Sequence, residues 1–504
     1  MQDSGRETRM SILRRAIEQQ IVKPFMTHGW EAEISSEESD GEYIVVTAKK
    51  AGAIKKVALL YSSATANNVY KKLDTQVDQI FTNGELYKPE SYAYGLTRPA
   101  LSVNDFYPIL IGWNKELFPE LKPTAVKPQP TTVRRIKAEN PLMGIWARLD
   151  QFSSTQLAEK LIRRRAQEEN VEVPADAVRS KGEGLAFILR NASDYFKSAR
   201  YESLNRKIIS LYYGTLALAS AEILASPRGP LDLDEIENYT KQGHGLYTLS
   251  TQARGFAEMG VGVLATGFLP KWTASLGHDV SQYPKAKPKT DADAAQLPKG
   301  VFCTVRDLFS MLPEVADLFS EAFESEPSWI KALPDTASSP MLSLRTKPHE
   351  PTGSTYIRLF DHSGQIAQER IEGAGWTLTE ISRLPDQEEG QTYRARVDHP
   401  GTKHWFEVIP VHHSSFENSG ALLLPALSDL HEYRVNALCL LYALSIMVRY
   451  MPSTWRKVEG GDLDQYLTVV KTTLAIYERS LPQLFLESIT GERVIAVQPG
   501  GLFG

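Results

Sequence analysis

Cysteine is almost missing from this chain: 504 residues contain two, Cys303 and Cys439. That excludes a disulfide framework and a Cys-rich zinc site, and it suits a cytosolic protein. Positive charge is not in excess either. The 56 Lys and Arg residues are outnumbered by 61 Asp and Glu, for a formal net charge of -5. Coating nucleic acid through bulk charge needs clustered cations that displace counterions, so that mode is excluded, although local basic patches are not. Long apolar runs are lacking. The most apolar one, "VNALCLLYALSIMV" from Val435 to Val448, is shorter than the roughly 20 residues that span a bilayer, and it is read as a buried helix. The start, "MQDSGRETRMSILRRAIEQQ", lacks the apolar core of a signal peptide. No fixed-period repeat stands out, and GxxxxGK[ST], HExxH and GxSxG are all missing. The reading is therefore cytoplasmic, with no membrane partner, no cofactor and no assigned catalytic residue.

What is present is an ordinary globular composition, 42% hydrophobic and 9% aromatic, in a chain too long for one hydrophobic core. Residues 1–122 read as a small α/β domain. Ile12, Leu13, Ile17, Ile21 and Phe25 recur at helical spacing, followed by three candidate strands, "WEAEI", "EYIVVTAK" and "KKVALLYSS". A second helix is predicted over "TANNVYKKLDTQVDQIF" and a last strand over "FYPILIGW". Pro123, Pro128 and Pro130 disfavour helix and mark 123–139 as a linker. Residues 140–299 read as the first part of a helical domain, irregular and loop-rich between Pro227 and Pro298. Residues 300–425 read as a β-rich insertion: "VFCTVRDLFSMLPEVADLFSEAF" looks helical, broken at Pro313, and after it the period shifts to two and an antiparallel meander is predicted, for example "TYIRLFD", "TYRARVDH" and "HWFEVIPVHH". Residues 426–504 return to helix. The fold class is α+β and multidomain, with the helical domain carrying a β-rich insertion.

Each of the motifs present also has a plainer explanation. The order of elements in 1–122 resembles the restriction-endonuclease-like core, in which two neighbouring strands supply carboxylates to a divalent metal. Glu42 begins one strand, but "KKVALLYSS" has no carboxylate, so an inactive copy used for binding or assembly is expected. "ELK" at Glu120–Lys122 has suitable spacing but sits beside the linker. His399, His404, His412 and His413 fall within fifteen residues, yet adjacent strand residues face opposite ways and could not share an ion; no metal is assigned. Arg394 and His399 have the spacing of the Arg-x4-6-His motif of HEPN ribonucleases, but in a strand, where coincidence explains it. "EMGVGVLATG" reads as a flexible loop, and Arg163, Arg164 and Arg165 as a solvated helix face.

The stretch "SIMVRYMPSTW", Ser445 to Trp455, is more telling. With "HEYRVNALCLLYAL" before it, it resembles the C-terminal signature of the YaaC-like family: an Arg opens a long apolar helix that ends in Arg-Tyr, a variable residue, Pro and a Trp. Arg434, Arg449, Tyr450, Pro452 and Trp455 match. Tyr195, Phe196, Tyr212, Tyr213 and Gly214 resemble the family's first block, and "HGLYTL", His244 to Leu249, its short His-Gly-Leu element. The likeness runs from about Asn140 to Gly491. Where the family often has His after Arg-Tyr, this chain has Met451.

Two readings of these residues follow. In one, Tyr450, Pro452 and Trp455 form a structural clamp joining the last helices to the "YYG" helix. In the other, Arg434, Arg449 and His244 line one cleft with Tyr212 and Tyr213 and grip a phosphate or nucleotide. The resemblance implies a bacterial protein with a somewhat HEPN-like helical core and no established activity. The expected function is a nucleic-acid or nucleotide binding or sensor component, as in an antiviral defence or stress system, with a protein partner or a second copy of itself. A metal-independent ribonuclease using His244 or His399 is one alternative; a structural subunit of a larger complex is the other.

Overall fold

The computed structural model describes residues 2–50, 52–117, 133–249, 255–298, 300–335, 353–385, 390–400, 403–414, 416 and 420–498. The fold is α+β, and the chain divides into two units, Met1–Ala125 and Val126–Gly504.

In the first unit, helix α1 (Gln2–Ile17) precedes strands β1 (Glu31–Glu38), β2 (Tyr43–Lys50) and β3 (Ala53–Leu60). Helix α2 (Asn67–Asp74), strands β4 (Gln79–Thr82) and β5 (Leu101–Ser102) and helix α3 (Phe106–Leu117) follow. The sheet runs in chain order, antiparallel through β3 and parallel beyond it. β2 shows why: its period-two alternation sends Ile44, Val46 and Ala48 into one core with α1 and α3. Tyr43 and Val45 enter a second core with Tyr70 and Leu73 of α2.

Two predicted elements change type here. "FYPILIGW" is helix, not strand, because Phe106, Leu110 and Trp113 are buried at i, i+4, i+7 while Tyr107 and Ile111 face out. The second predicted helix stops at Asp74, and its end becomes β4, buried at all four positions. A short, fully buried parallel strand carries no alternation to distinguish it from helix. Glu42 is not a strand residue but precedes β2 with φ at +48°, and Arg9 holds its carboxylate at 2.6 and 2.8 Å. Glu120–Lys122 lies outside the described residues.

The second unit begins with β6 (Val133–Lys137), inside the segment read as linker. It pairs in parallel with the last strand of the chain, Arg493–Val497. Helices α4 (Pro141–Gln151), α5 (Thr155–Glu168), α6 (Ala175–Ala199), α7 (Leu204–Ala225) and α8 (Leu233–Lys241) come next. The region read as irregular then holds β7 (Leu246–Leu249), β8 (Gly260–Val263) and α9 (Phe268–Ser275). β9 (Phe302–Thr304), α10 (Val305–Ser310) and α11 (Ala316–Phe323) follow. "EMGVGVLATG" is therefore no loop: β8 is the buried centre of a three-stranded sheet. Its glycines have a packing reason, since a Cβ on Gly260 would lie 2.0 Å from the Phe302 ring and one on Gly262 2.2 Å from Tyr247.

The six-stranded insertion contains β10 (Trp329–Pro334), β11 (Gly353–Asp361), β12 (Thr379–Arg383), β13 (Gln391–His399), β14 (Val411–His413) and β15 (Gly420–Leu423). All neighbours pair antiparallel, but in the order β12-β13-β11-β10-β15-β14, which is not a meander. Part of "HWFEVIPVHH" is a 3-10 turn at Trp405–Glu407 rather than strand. The predicted strand "MLSLR" lies outside the described residues. The chain ends with α12 (Tyr433–Tyr450), α13 (Pro452–Gly460), α14 (Gln465–Thr490) and β16 (Arg493–Val497).

One hydrophobic core joins α4–α7 to α12–α14 and takes in α10 and α11, so the helical core extends through Phe323 into the stretch assigned to the insertion. α7 is its central helix, with α6, α12 and α14 packed on it. Among the described residues α7 is also the one helix long and apolar enough to cross a membrane, and 72% of its apolar window is buried in the fold. Gly214 lets α6 approach: a Cβ there would fall 2.8 Å from the Phe196 ring. The arginine triplet is no solvated face. Arg164 and Arg165 donate to the carbonyls of Thr490, Ser488 and Ile489 at the end of α14, while Arg163 pairs with Glu159.

Lys181 of α6 is fully buried and donates to the carbonyls of Ser226 (2.9 Å), Gly229 (3.3 Å) and Pro230 (2.8 Å), closing the turn after α7. Lys181→Met keeps the packing but strands these acceptors. We expect it to lower the unfolding free energy in urea by about 2–3 kcal/mol.

Candidate functional site

α12 decides the geometry of the site. Arg434 is its second residue and Arg449 its last but one, and at about 1.5 Å per residue the two Cα atoms stand roughly 22 Å apart. They cannot line one cleft. Arg434 pairs with Glu222 of α7, whose other oxygen accepts Trp272 Nε1–H at 3.0 Å, and its guanidinium lies 5.3 Å from the Phe485 ring centroid. The single cleft is thus corrected: Arg434 is committed to a buried tie at the far end of the helix.

The other predicted ligand residues do converge. Tyr212 of α7 packs edge-on to His244 (5.6 Å between centroids) and lies 5.1 Å from Tyr213. Tyr442 of α12 closes the group, 5.9 Å from Tyr212 and 6.2 Å from His244. Tyr195 of α6 stacks on Tyr213 at 5.9 Å. Gly243 and Gly245, both at positive φ, turn the chain on either side of His244. A Cβ on Gly245 would strike Pro270 at 2.4 Å. Tyr442 Oη donates to the Leu246 carbonyl at 3.1 Å, fixing β7 on α12.

Arg449 faces this group from two turns beyond Tyr442 on the same face of α12. Its guanidinium donates to Ser445 O at 3.0 Å and Ser445 Oγ at 3.1 Å and lies 5.0 Å from the Tyr450 ring centroid. Among the described residues it has no carboxylate partner. Burial and, next, the Arg449 charge push the His244 imidazole below its ordinary value, so it is neutral at pH 7. Burial likewise raises the Tyr212 and Tyr442 phenols. His244 Nδ1 and Tyr212 Oη are buried without a hydrogen-bond partner. The arrangement offers a cation, a neutral imidazole and stacking faces, which suits an anionic group attached to a planar ring.

The clamp reading divides as well. Met451 leaves helical geometry at φ -128°, ψ 53° ahead of Pro452, and α13 departs from α12 at 105°. Trp455 is buried and donates to Asn205 Oδ1 at 2.6 Å on the first turn of α7. Tyr450 is not part of the clamp: it is 67% exposed.

The histidines of the insertion go separate ways. His399 bonds Thr355 at 2.8 Å, His404 stacks on Phe406, and His412 bonds Glu314 at 2.8 Å. Arg394 and His399 are five apart on β13 and face opposite sides; Arg394 lies 3.3 Å from Asp335 and over Tyr356. Among the described residues no group of three or more His, Cys, Asp or Glu is placed to hold a metal.

A family model described as YaaC-like Protein matches residues 150–489, two-thirds of the chain. The chain belongs to the YaaC-like protein family. The matched span of this YaaC-like protein contains every residue of the Tyr-His-Arg cluster and of the Arg434 tie. It does not reach the first unit, and no comparison supports the restriction-endonuclease likeness there. No curated protein and no solved structure matches.

Tyr442 and Glu222 escaped the sequence reading of this YaaC-like core because both sit in apolar helices. The available signal was spacing: Tyr442 lies seven residues before Arg449, on the same helix face.

Proposed function

We propose that this YaaC-like protein is a cytoplasmic binding component that takes a nucleotide or a single-stranded nucleic acid at the Tyr-His-Arg cluster. The observation that carries this reading is Arg449: a guanidinium with only neutral partners, beside neutral His244 and an exposed Tyr450 ring. Arg449 would meet a phosphate, and Tyr450, with the half-exposed Tyr195 and Tyr213, would stack a base. Because one or two cations are engaged rather than many, the salt dependence of binding should be shallow.

The test is fluorescence anisotropy with labelled single-stranded RNA, single-stranded DNA and ATP at fixed salt. Tyr450→Ala, an exposed change that leaves the core alone, is expected to weaken binding by about tenfold, within the roughly 1–3 kcal/mol of one base stack. No binding to any of the three probes, or equal binding by the variant, would leave a structural subunit as the better account.

A second reading rests on the imidazole itself. A neutral His244 next to Arg449 can accept a proton from a ribose 2'-hydroxyl while the guanidinium faces the phosphate. In that case RNA, but not DNA, is cut in the presence of EDTA, and His244→Ala abolishes cutting while retaining binding.

A further inference from the structure

A separate cavity of about 380 Å³ lies at the opposite end of α12, walled by β14, the first turn of α12, the end of α14 and the start of β16. Its lining includes His413, Arg434, Glu487 and Arg493. Arg493 is half-buried, with its guanidinium 4.9 Å from the Phe406 ring centroid, and among the described residues that guanidinium forms no hydrogen bond or ion pair. A guanidinium carries five N–H donors in a planar fork that matches an oxyanion.

None of the three carboxylates lining the cavity forms an ion pair with Arg493, and Glu432 is turned to His278 at 2.7 Å. Arg434 is tied to Glu222. The Glu492 carboxylate is turned to Arg134 at 3.0 Å and Arg164 at 2.5 Å. Glu487 accepts Val494 N–H at 2.9 Å, and burial raises its carboxyl from the ordinary value against the pull of that hydrogen bond and of the Arg493 charge. The His413 imidazole is pushed down to about 4, by burial first and then by the charges of Arg493 and His412, so it is neutral at pH 7. Its Nε2 is buried with no partner. α12 adds an N-terminus with no side-chain cap, whose dipole favours negative charge.

We propose that this cavity binds a small molecule bearing an oxyanion, a phosphate or a carboxylate, held by the Arg493 fork and the His413 ring nitrogen. The volume lies in the range of small-ligand sites. This site is distinct from the cluster at Arg449 and does not depend on it.

The experiment is thermal unfolding of the full chain in sodium phosphate, sodium succinate and sodium chloride at equal ionic strength. Phosphate or succinate is expected to raise the unfolding temperature beyond chloride, and whichever does so identifies the oxyanion. Arg493→Gln is expected to weaken that ligand by about tenfold or more, the loss that follows removal of a charged hydrogen-bond donor. Tyr450→Ala should keep the full response. The proposal is overturned if neither anion exceeds chloride, or if Arg493→Gln responds as the unaltered protein does. Should Arg493→Gln fail to fold, His413→Leu is judged by the same two criteria.

Discussion

Glu222→Ala is expected to lower the unfolding free energy by about 3–5 kcal/mol, the cost of breaking a buried ion pair by removing one partner. Glu222 is buried in α7, and its two oxygens serve Arg434 of α12 and Trp272 of α9. The alanine leaves a guanidinium and an indole N–H facing each other without an acceptor. A double replacement sharpens the test. Glu222→Leu with Arg434→Met removes both charges and keeps volume, so it should be less destabilising than either single change. Urea denaturation midpoints and slopes for the four proteins measure this. If Arg434 served a ligand instead, Arg434→Met would leave stability nearly unchanged and the double variant would show no recovery.

That outcome bears on what could be read from residues alone. The helical core was legible because α6, α7, α12 and α14 are long and apolar, and the tyrosine pair, the His-Gly turn and the Arg-Tyr end of α12 do meet. The single cleft was not legible. Arg434 and Arg449 both look like lone cations on one apolar helix, and only the helix rise separates them by about 22 Å. Arg434's partner is a glutamate embedded in "LALASAEILAS", where a single acid in an apolar run is the sign of a buried pair. β4 and α3 in the first unit were interchanged in type because a buried parallel strand and a short helix are both continuous apolar runs. β8 reads as a loop in sequence because its glycines suggest flexibility. In fact they make room for Tyr247 and Phe302.

The insertion is fastened to the helical core by a second buried pair, and breaking it should also have a large effect. Glu314, at the turn before α11, accepts from His412 of β14 at 2.8 Å, with side-chain exposures of 1% and 3%. The imidazole stacks face to face on Tyr433 of α12 at 4.0 Å. His412→Ala leaves the carboxylate buried without its donor and is expected to cost about 3–5 kcal/mol. Acid should act on the same contact. Burial alone would raise the Glu314 carboxyl, but the His412 hydrogen bond and charge outweigh it and hold it below the ordinary value. A carboxyl depressed in the folded state contributes stability that is present above its unfolded value, near about 4.3, and is lost as pH falls through the folded one. Stability of the unaltered protein should therefore fall with acid below about pH 4.3 more steeply than that of Glu314→Gln, which has no proton to take up. Urea unfolding at pH 7, 5 and 3.5 reads the difference. Parallel acid profiles for the two proteins would show that the pair does not fasten the sheet.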